Sequence, residues 1–370
     1  MALPLLSLFP RLRPALPHCD IGAFPTPVEP LVGIASRTGR SGVGGLFIKR
    51  DDLSATLYGG NKVRKLEFLL AAARRTGAKR IITSGAAGSN HALATALYAR
   101  RHGFAVTLML FEQPYLPAIG PTLLADFACG AELFHDDTYA QHCKRLQAAT
   151  EHYLDVEGVA PYIIPGGGSS PLGAAGFVNA AFELREQIKK GSVPEPAAIY
   201  VAFGTMGTVA GLLIGLRAAN IRSKIVAVSV VPGIVANEEK FAILVEDTCR
   251  LLYGADPSFP RVILKKSDYY INDDFLGEGY GLCTAEGVSA MDEFKSSDDI
   301  ALDPVYTGKT AAAFLEDARS EGLREKTLLF WHTKSKKFPP LPQGEEADFH
   351  RLPSEFHRYF TVDQAKKFTC

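Results

Sequence analysis

No segment of the 370 residues is an uninterrupted apolar stretch long enough to cross a bilayer, which excludes a helical membrane span. An excess of one charge is also missing. Lys+Arg and Asp+Glu both number 40 and the formal net charge is +0, so a nucleic-acid partner, which calls for a basic surplus, is not expected. Cysteine is sparse. The six (Cys19, Cys129, Cys143, Cys249, Cys283 and Cys370) lie far apart with no C-x-x-C. That argues against a disulfide scaffold and for free thiols in a reducing compartment. Neither H-E-x-x-H nor a Cys/His ligand spacing occurs, so no metal is expected, and His135, His142 and Cys143 read as surface helix residues. Residues 1–10 are apolar but broken by Pro4 and Pro10, with no basic start, unlike a secretory signal. A soluble, cytoplasmic protein is expected.

What is present is a turn-rich α/β pattern: 34 Gly, 23 Pro and 47 % hydrophobic residues in a chain long enough for two domains. Residues 1–31 are Pro-rich and read as extended. Short apolar strands are expected at 46–50, 80–84, 104–111, 131–134, 161–164, 198–202, 224–231 and 327–332. Helical segments fall between them, starting at about 62, 90, 122, 139, 172 and 209. This alternation is that of βαβ units, so the sheets should be mainly parallel. Beyond Lys334 the chain turns polar and Pro-containing, as a mobile or surface-wrapping tail would.

The stretch Tyr58-Gly-Gly-Asn-Lys-Val-Arg-Lys-Leu-Glu67 carries the first chemical signal. A Gly-Gly pair frees the backbone, Asn61 is placed to cap a helix, and Lys62 falls in its first turn. Arg64 and Lys65 beside it would disfavour protonation of Lys62, one route to a lysine that forms a Schiff base. The decapeptide alone also fits a solvated basic helix start. Two loops follow strands and open helices. Gly204-Thr-Met-Gly-Thr208 offers backbone N–H groups and hydroxyls suited to a phosphate, without Walker or complete G-x-G-x-x-G spacing. Such turns are common in α/β folds, and the loop taken alone fits an empty strand-to-helix turn better. Gly85 to His91 sets Ser89 and Asn90 at a helix start, where N–H groups suit a carboxylate, or where either residue is simply a cap. Tyr280 and Tyr306 lie in glycine-flanked turns, where packing is the plain alternative.

Together these segments resemble one family. Lys49-Arg-Asp-Asp-Leu53, Gly59-Gly-Asn-Lys-Val-Arg-Lys-Leu-Glu67, Gly88-Ser-Asn-His91, Gly167-Gly-Ser, Pro171-Leu-Gly-Ala174, Gly279-Tyr-Gly281 and Asp303-Pro-Val-Tyr-Thr-Gly-Lys309 are similar to the D-cysteine desulfhydrase / 1-aminocyclopropane-1-carboxylate (ACC) deaminase family. The resemblance implies a two-domain fold type II, tryptophan-synthase-β-like, with each mainly parallel sheet flanked by helices. Residues 58–163 would form the smaller domain, 1–57 plus 164–337 the larger, and 338–370 a C-terminal tail. It implies pyridoxal 5'-phosphate on Lys62 in Schiff-base linkage. Asn90 would bond the ring 3′-oxygen, Gly204, Thr205, Met206, Gly207 and Thr208 would hold the phosphate, and Thr333 would face the pyridine nitrogen. Ser89, Asn90, His91, Tyr280 and Tyr306 would border an amino-acid substrate, with Lys62, Ser89, Tyr280 and Tyr306 catalytic. A homodimer is implied as well.

Thr307 and Thr333 stand where ACC deaminases have Glu and Leu, which resembles the desulfhydrase pattern. The reaction implied is α,β-elimination, giving pyruvate, ammonia and, from D-cysteine, sulfide. Alternatives are a cysteate-type sulfo-lyase, ACC deamination, racemisation or β-replacement, and lastly a non-catalytic ligand-binding protein. Departures at Gly85-Ala-Ala-Gly88 and Lys334-Ser-Lys-Lys337 border the expected site. Lys334 would suit a second acidic group on the substrate.

Overall fold

The computed structural model describes residues 3–40 and 44–361. Two sheets form. The larger, in the order β1-β2-β10-β7-β8-β9, takes β1 (Val28–Pro30), β2 (Leu46–Lys49), β7 (Ala198–Phe203), β8 (Lys224–Ser229), β9 (Tyr269–Asn272) and β10 (Leu328–Trp331). The smaller, in the order β5-β4-β3-β6, takes β3 (Arg80–Ala86), β4 (Ala105–Phe111), β5 (Ala131–Asp136) and β6 (Tyr162–Ile164). All neighbouring strands run parallel except β1 against β2, as the alternating pattern implied. The central strands are continuous apolar runs because helices cover both faces.

The helices are α1 (Pro4–Leu8), α2 (Val32–Arg37), α3 (Lys62–Arg75), α4 (Asn90–Arg101), α5 (Ile119–Ala128), α6 (Tyr139–Glu157) and α7 (Pro171–Lys189). They continue with α8 (Gly207–Ala218), α9 (Glu238–Ala255), α10 (Ala285–Asp298) and α11 (Thr307–Arg319). Hydroxyl caps start several of them: Ser170 Oγ accepts from Gly173 N at 3.2 Å, with Pro171 next, where a missing N–H costs nothing. Helix α7 packs closely against α3. A Cβ added at Gly176 would lie 2.2 Å from Arg64 O, so only glycine lets α3 and α7 approach this closely.

A buried ion cluster fixes α3 against the larger sheet. Arg64 donates to Asp51 Oδ1 at 2.7 Å and to Glu183 Oε2 at 3.0 Å, Lys49 pairs with Glu183, and Trp331 Nε1 donates to Asp51 Oδ2 at 2.8 Å. These groups come from β2, the turn after it, α3, α7 and β10. Each charge has an opposite partner, the condition under which such burial is tolerated.

Several expectations are corrected. The N-terminal stretch is not extended throughout: α1 forms, and Leu5, Leu6 and Leu12 are buried in the core around α7. Proline at the first helical position permits this helix where proline content argued against one. Nor are His135 and His142 surface groups. His135 lies on β5 and His142 on the inner face of α6, both buried, whereas Cys143 is exposed. Cys19, Cys129, Cys143 and Cys249 are free, Cys283 is disulfide-bonded against expectation, and Cys370 lies outside the described residues. The described part of the tail wraps the smaller sheet's helices: Leu352, Phe356 and Tyr359 are buried there, and Tyr359 Oη meets Gln113 N at 3.1 Å. Residues 362–370 of that tail lie outside the described residues.

Candidate active site

A cavity of about 1000 Å³ opens between the two sheets, at the C-terminal ends of β3, β4, β6 and β7. Ligands in parallel α/β sheets bind at this edge, where loops and helix N-termini converge. Lys62, Ser89, Asn90, His91, Gly204, Thr205, Met206, Thr208, Tyr280, Tyr306 and Thr333 all line it. Gly207, also expected at the site, sits just behind that wall as the first residue of α8.

Lys62 opens α3, and its Nζ donates to Asn61 Oδ1 at 3.0 Å. Burial brings its pKa down to about 8, against a smaller upward pull from the Asp303 carboxylate. The expected cause was different. Arg64 and Lys65 were to depress the lysine, but Arg64 is neutralised by Asp51 and Glu183, and desolvation dominates. Asn61 also departs from expectation. Its side chain makes no capping bond, and its Nδ2 donates instead to Thr208 Oγ1 at 3.1 Å, joining α3 to the α8 loop.

Lys65, one turn along the same helix face, points into the same space. Its ammonium donates to Gly167 O at 3.0 Å and to Ser169 Oγ at 3.2 Å. Neither partner is a carboxylate, and burial followed by the charge of Lys62 holds its pKa well below the usual lysine value. A Cβ placed on Gly207 would lie 2.9 Å from this ammonium and 2.7 Å from Ser169 Oγ. Met206 takes a left-handed conformation (φ 67°), which turns the chain into α8 and gathers its first amides beside Lys65. Sequence reasoning used Lys65 only as a neighbour of Lys62. The i, i+3 spacing on a helix start was the signal that identifies it.

Ser89 caps α4 by accepting from Ala92 N at 3.2 Å. Asn90 Oδ1 accepts from Tyr58 Oη at 2.7 Å. His91 is buried, and Thr83, which donates to Ile164 O at 2.8 Å, accepts from His91 Nε2 at 2.9 Å. That leaves His91 Nδ1 as an unpartnered acceptor. Burial, then the charges of Lys62 and Lys65, keep the imidazole neutral by driving its pKa well below the usual value.

Across the cavity, Tyr280 and Tyr306 share a hydrogen bond of 2.7 Å. Burial raises both phenols, and for Tyr306 the neighbouring Tyr280 adds to the rise. The Asp-Pro-Val-Tyr motif places Tyr306 by a local device: Asp303 accepts from the amides of Val305 (3.0 Å) and Tyr306 (2.7 Å) and from Thr307 Oγ1 (2.6 Å) at the start of α11. Lys309 then donates to Leu276 O (2.7 Å) and Gly279 O (2.9 Å), tying the Tyr280 turn to the same helix. Thr333 follows β10, its carbonyl accepting from Asn61 N at 3.0 Å, and Lys334 also lines the cavity.

Known proteins resemble this chain in sequence and fold. A family model described as pyridoxal-phosphate dependent enzyme matches residues 20–334. The D-cysteine desulfhydrases of Klebsiella pneumoniae (strain 342) and Salmonella typhimurium are 35% and 34% identical over 342 residues, covering 90% of this chain and 96% of each relative. Among solved structures, an ACC deaminase homologue matches with a TM-score of 0.75 and 31% identity, covering 90% of this chain and 95% of that one. Maize serine racemase, with a TM-score of 0.54 and 16% identity over 85% of this chain and 90% of its own, shares the fold. The architecture is the two-domain fold type II, tryptophan-synthase-β-like. Among the described residues no helix is long and apolar enough to cross a membrane, and no cluster of metal-ligating side chains occurs. The chain therefore belongs to the pyridoxal-phosphate dependent enzyme family, as an enzyme of the lyase or deaminase type that works with pyridoxal phosphate.

Proposed function

We propose that this protein is a lyase that removes the β substituent of an amino acid by α,β-elimination, and that D-cysteine is a substrate, giving pyruvate, ammonia and sulfide. The observation that carries the reading is Lys62: a buried amine with its pKa near 8, facing the same cavity as a bonded tyrosine pair. Its relatives' names, D-cysteine desulfhydrase, point the same way. So do Thr307 and Thr333, which stand where the deaminase pattern has Glu and Leu.

The residues present fit pyridoxal phosphate. Lys65 is a buried amine with no carboxylate partner, beside the first amides of α8, where a bound phosphate would supply the opposite charge that its protonated form lacks. Lys62 is the amine that would hold the aldehyde, and Asn90, oriented by Tyr58, would bond the ring oxygen. Thr333 would meet the ring nitrogen with a hydroxyl, a weaker partner than a carboxylate. When bound, the cofactor supplies an electron sink for the pair left at Cα.

The chain's own groups then divide the work. The α4 N-terminus, with Ser89 and Asn90, receives the substrate carboxylate, which complements the exposed amides of the first turn. The Lys62 amine removes the Cα proton, for which a pKa near 8 is well matched at neutral pH. Tyr306, in contact with Tyr280, delivers a proton to the departing group; burial keeps both phenols protonated and ready to donate. The smaller domain is taken as residues 58–163, the larger as 1–57 plus 164–337 and the tail as 338–370, with a homodimer as the assembly. Size-exclusion chromatography with light scattering tests the dimer.

The direct test is an absorption spectrum of the purified protein, followed by addition of D-cysteine with sulfide and pyruvate measured. A band of lysine-bound cofactor that is lost in Lys62→Ala, together with both products, supports the reading. The band without products discards the substrate, and an inverted or substituted amino acid as product discards elimination.

A further inference from the structure

One wall of the cavity carries a constellation that the elimination chemistry does not use. Ser84, at the end of β3, meets His142 Nε2 at 3.1 Å, and His142 Nδ1 meets Asp136 Oδ2 at 2.8 Å. Asp136 is buried, and its other oxygen accepts from Arg145 Nε at 2.6 Å. The order of the bonds assigns the protons. The Asp136 carboxylate only accepts, so a neutral His142 carries its proton on Nδ1 and its Nε2 accepts from the Ser84 hydroxyl. Ser84 Oγ is left with lone pairs to offer to the cavity that it lines.

Around this polar spot the wall is apolar and aromatic. The His142 ring lies 4.9 Å from Phe111 and 6.1 Å from Tyr139, and Leu146 and Ile163 complete the wall on this side. From the other sheet, Ile234 and Val235 in the β8–α9 connection face the same space. Ile234 is 81% and Tyr139 76% exposed, large apolar groups left open to solvent at a cavity mouth. A volume of about 1000 Å³ is at the top of the range of about 300–1,000 Å³ for drug-sized ligands. That is more room than a cofactor and a three-carbon amino acid occupy.

We propose that this lobe is a second subsite of the same cavity, which takes the far end of the β substituent, and that the substituent is an aromatic thioether bearing a hydroxyl. The row of rings stacks against an aromatic group, and Ser84 Oγ accepts from its hydroxyl. The proposal rests on the elimination reading above and adds no new reactant. The Cβ–S bond breaks, its pair leaves on sulfur, and the thiol takes up one proton as Cα gives one up. His142 and Asp136 are positioning residues that hold the Ser84 hydroxyl in its donor role toward the ring and so keep its lone pairs free.

The test measures binding apart from turnover. Calorimetric titration of full-length Lys62→Ala protein compares S-methyl-, S-benzyl- and S-(4-hydroxybenzyl)-D-cysteine. Burying the ring is expected to tighten S-benzyl over S-methyl by about tenfold or more, and the hydroxyl to add a few-fold, on the order of one hydrogen bond. Adding Ile163→Lys, a change at a partly exposed strand position, should bring the benzyl-to-methyl ratio close to one. Adding Ser84→Ala should remove the hydroxyl's increment and keep the ring's. A benzyl-to-methyl ratio near one before either change, or a ratio untouched by Ile163→Lys, overturns the subsite. With the loaded wild-type enzyme, keto acid from S-(4-hydroxybenzyl)-D-cysteine supports the substrate class. Keto acid from D-cysteine alone overturns it, whereas no keto acid from any thioether or from D-cysteine defeats the elimination reading and leaves the binding ratios to decide the subsite.

Discussion

Replacing Lys65 with methionine keeps the side chain's length and removes its charge, and the structure gives two consequences of different kind. The amine is buried with no carboxylate partner, and burial followed by the charge of Lys62 depresses its pKa well below 10.5. In the unfolded chain the lysine titrates at its ordinary value. Between the two pKa values the unfolded state therefore binds a proton that the folded, cofactor-free state lacks, so folding stability rises with pH across that window. Lys65→Met should abolish this part of the slope. The stability of the variant relative to wild type is then highest at the low-pH end of that window and declines as pH climbs toward 10.5. Cofactor binding should move in the other direction. Losing a charge-assisted bond to phosphate costs about 1.5–3 kcal/mol, or roughly a 10- to 100-fold weaker affinity. Urea unfolding of the cofactor-free proteins at several pH values measures the first effect, and titration with pyridoxal phosphate followed by absorbance measures the second. An affinity within twofold of wild type, with an unchanged pH slope, would refute the assignment of Lys65 as the counter-charge of the phosphate.

Two further substitutions test other parts of the structure. Glu183→Gln leaves Lys49 and Arg64 with Asp51 as their remaining buried carboxylate, and should cost about 3–5 kcal/mol at pH 7. Burial alone would raise the Glu183 carboxyl, but Arg64 and Lys49 bring it down to about 2. Its contribution is thus complete above the ordinary value of 4.5 and lost as pH falls toward 2, so the gap between variant and wild type in urea unfolding should close below pH 4. Asp126, buried on α5 with neither carboxylate oxygen bonded, has its pKa raised well above 3.8 by burial. Here the stability present below 3.8 is lost as pH rises toward the folded value, so Asp126→Leu should stabilise the protein at pH 7 by on the order of 1–3 kcal/mol and flatten that slope. A destabilised Asp126→Leu protein would point to a partner for that carboxylate.

Much of the site was legible because its parts are local. The glycine turn before Lys62, the Ser89 cap and the Asp303 turn that presents Tyr306 are each specified within a few residues by backbone freedom and side-chain-to-amide bonds. The strand and helix alternation was legible for the same reason, since periodicity is a property of neighbours. What misled were groups whose behaviour depends on distant ones. His142 was read as a surface residue because a polar helix gives no sign that Asp136 and Ser84 await it. Lys62 was given the right tendency by the wrong cause, since adjacency suggested Arg64 while the actual agent is burial.

By itself, then, the sequence determined which residues are available for this chemistry, the turns and caps that display them, and the parallel α/β plan. Tertiary structure alone decided which of those residues meet. Arg64 finds Glu183 across 119 positions, Asn61 finds Thr208 across 147, and Gly59 finds Ser335 across 276. Desolvation, which sets the state of Lys62, Lys65 and His91, is a property of the assembled interior, because it arises when two packed halves together exclude water from a group that neither half encloses alone.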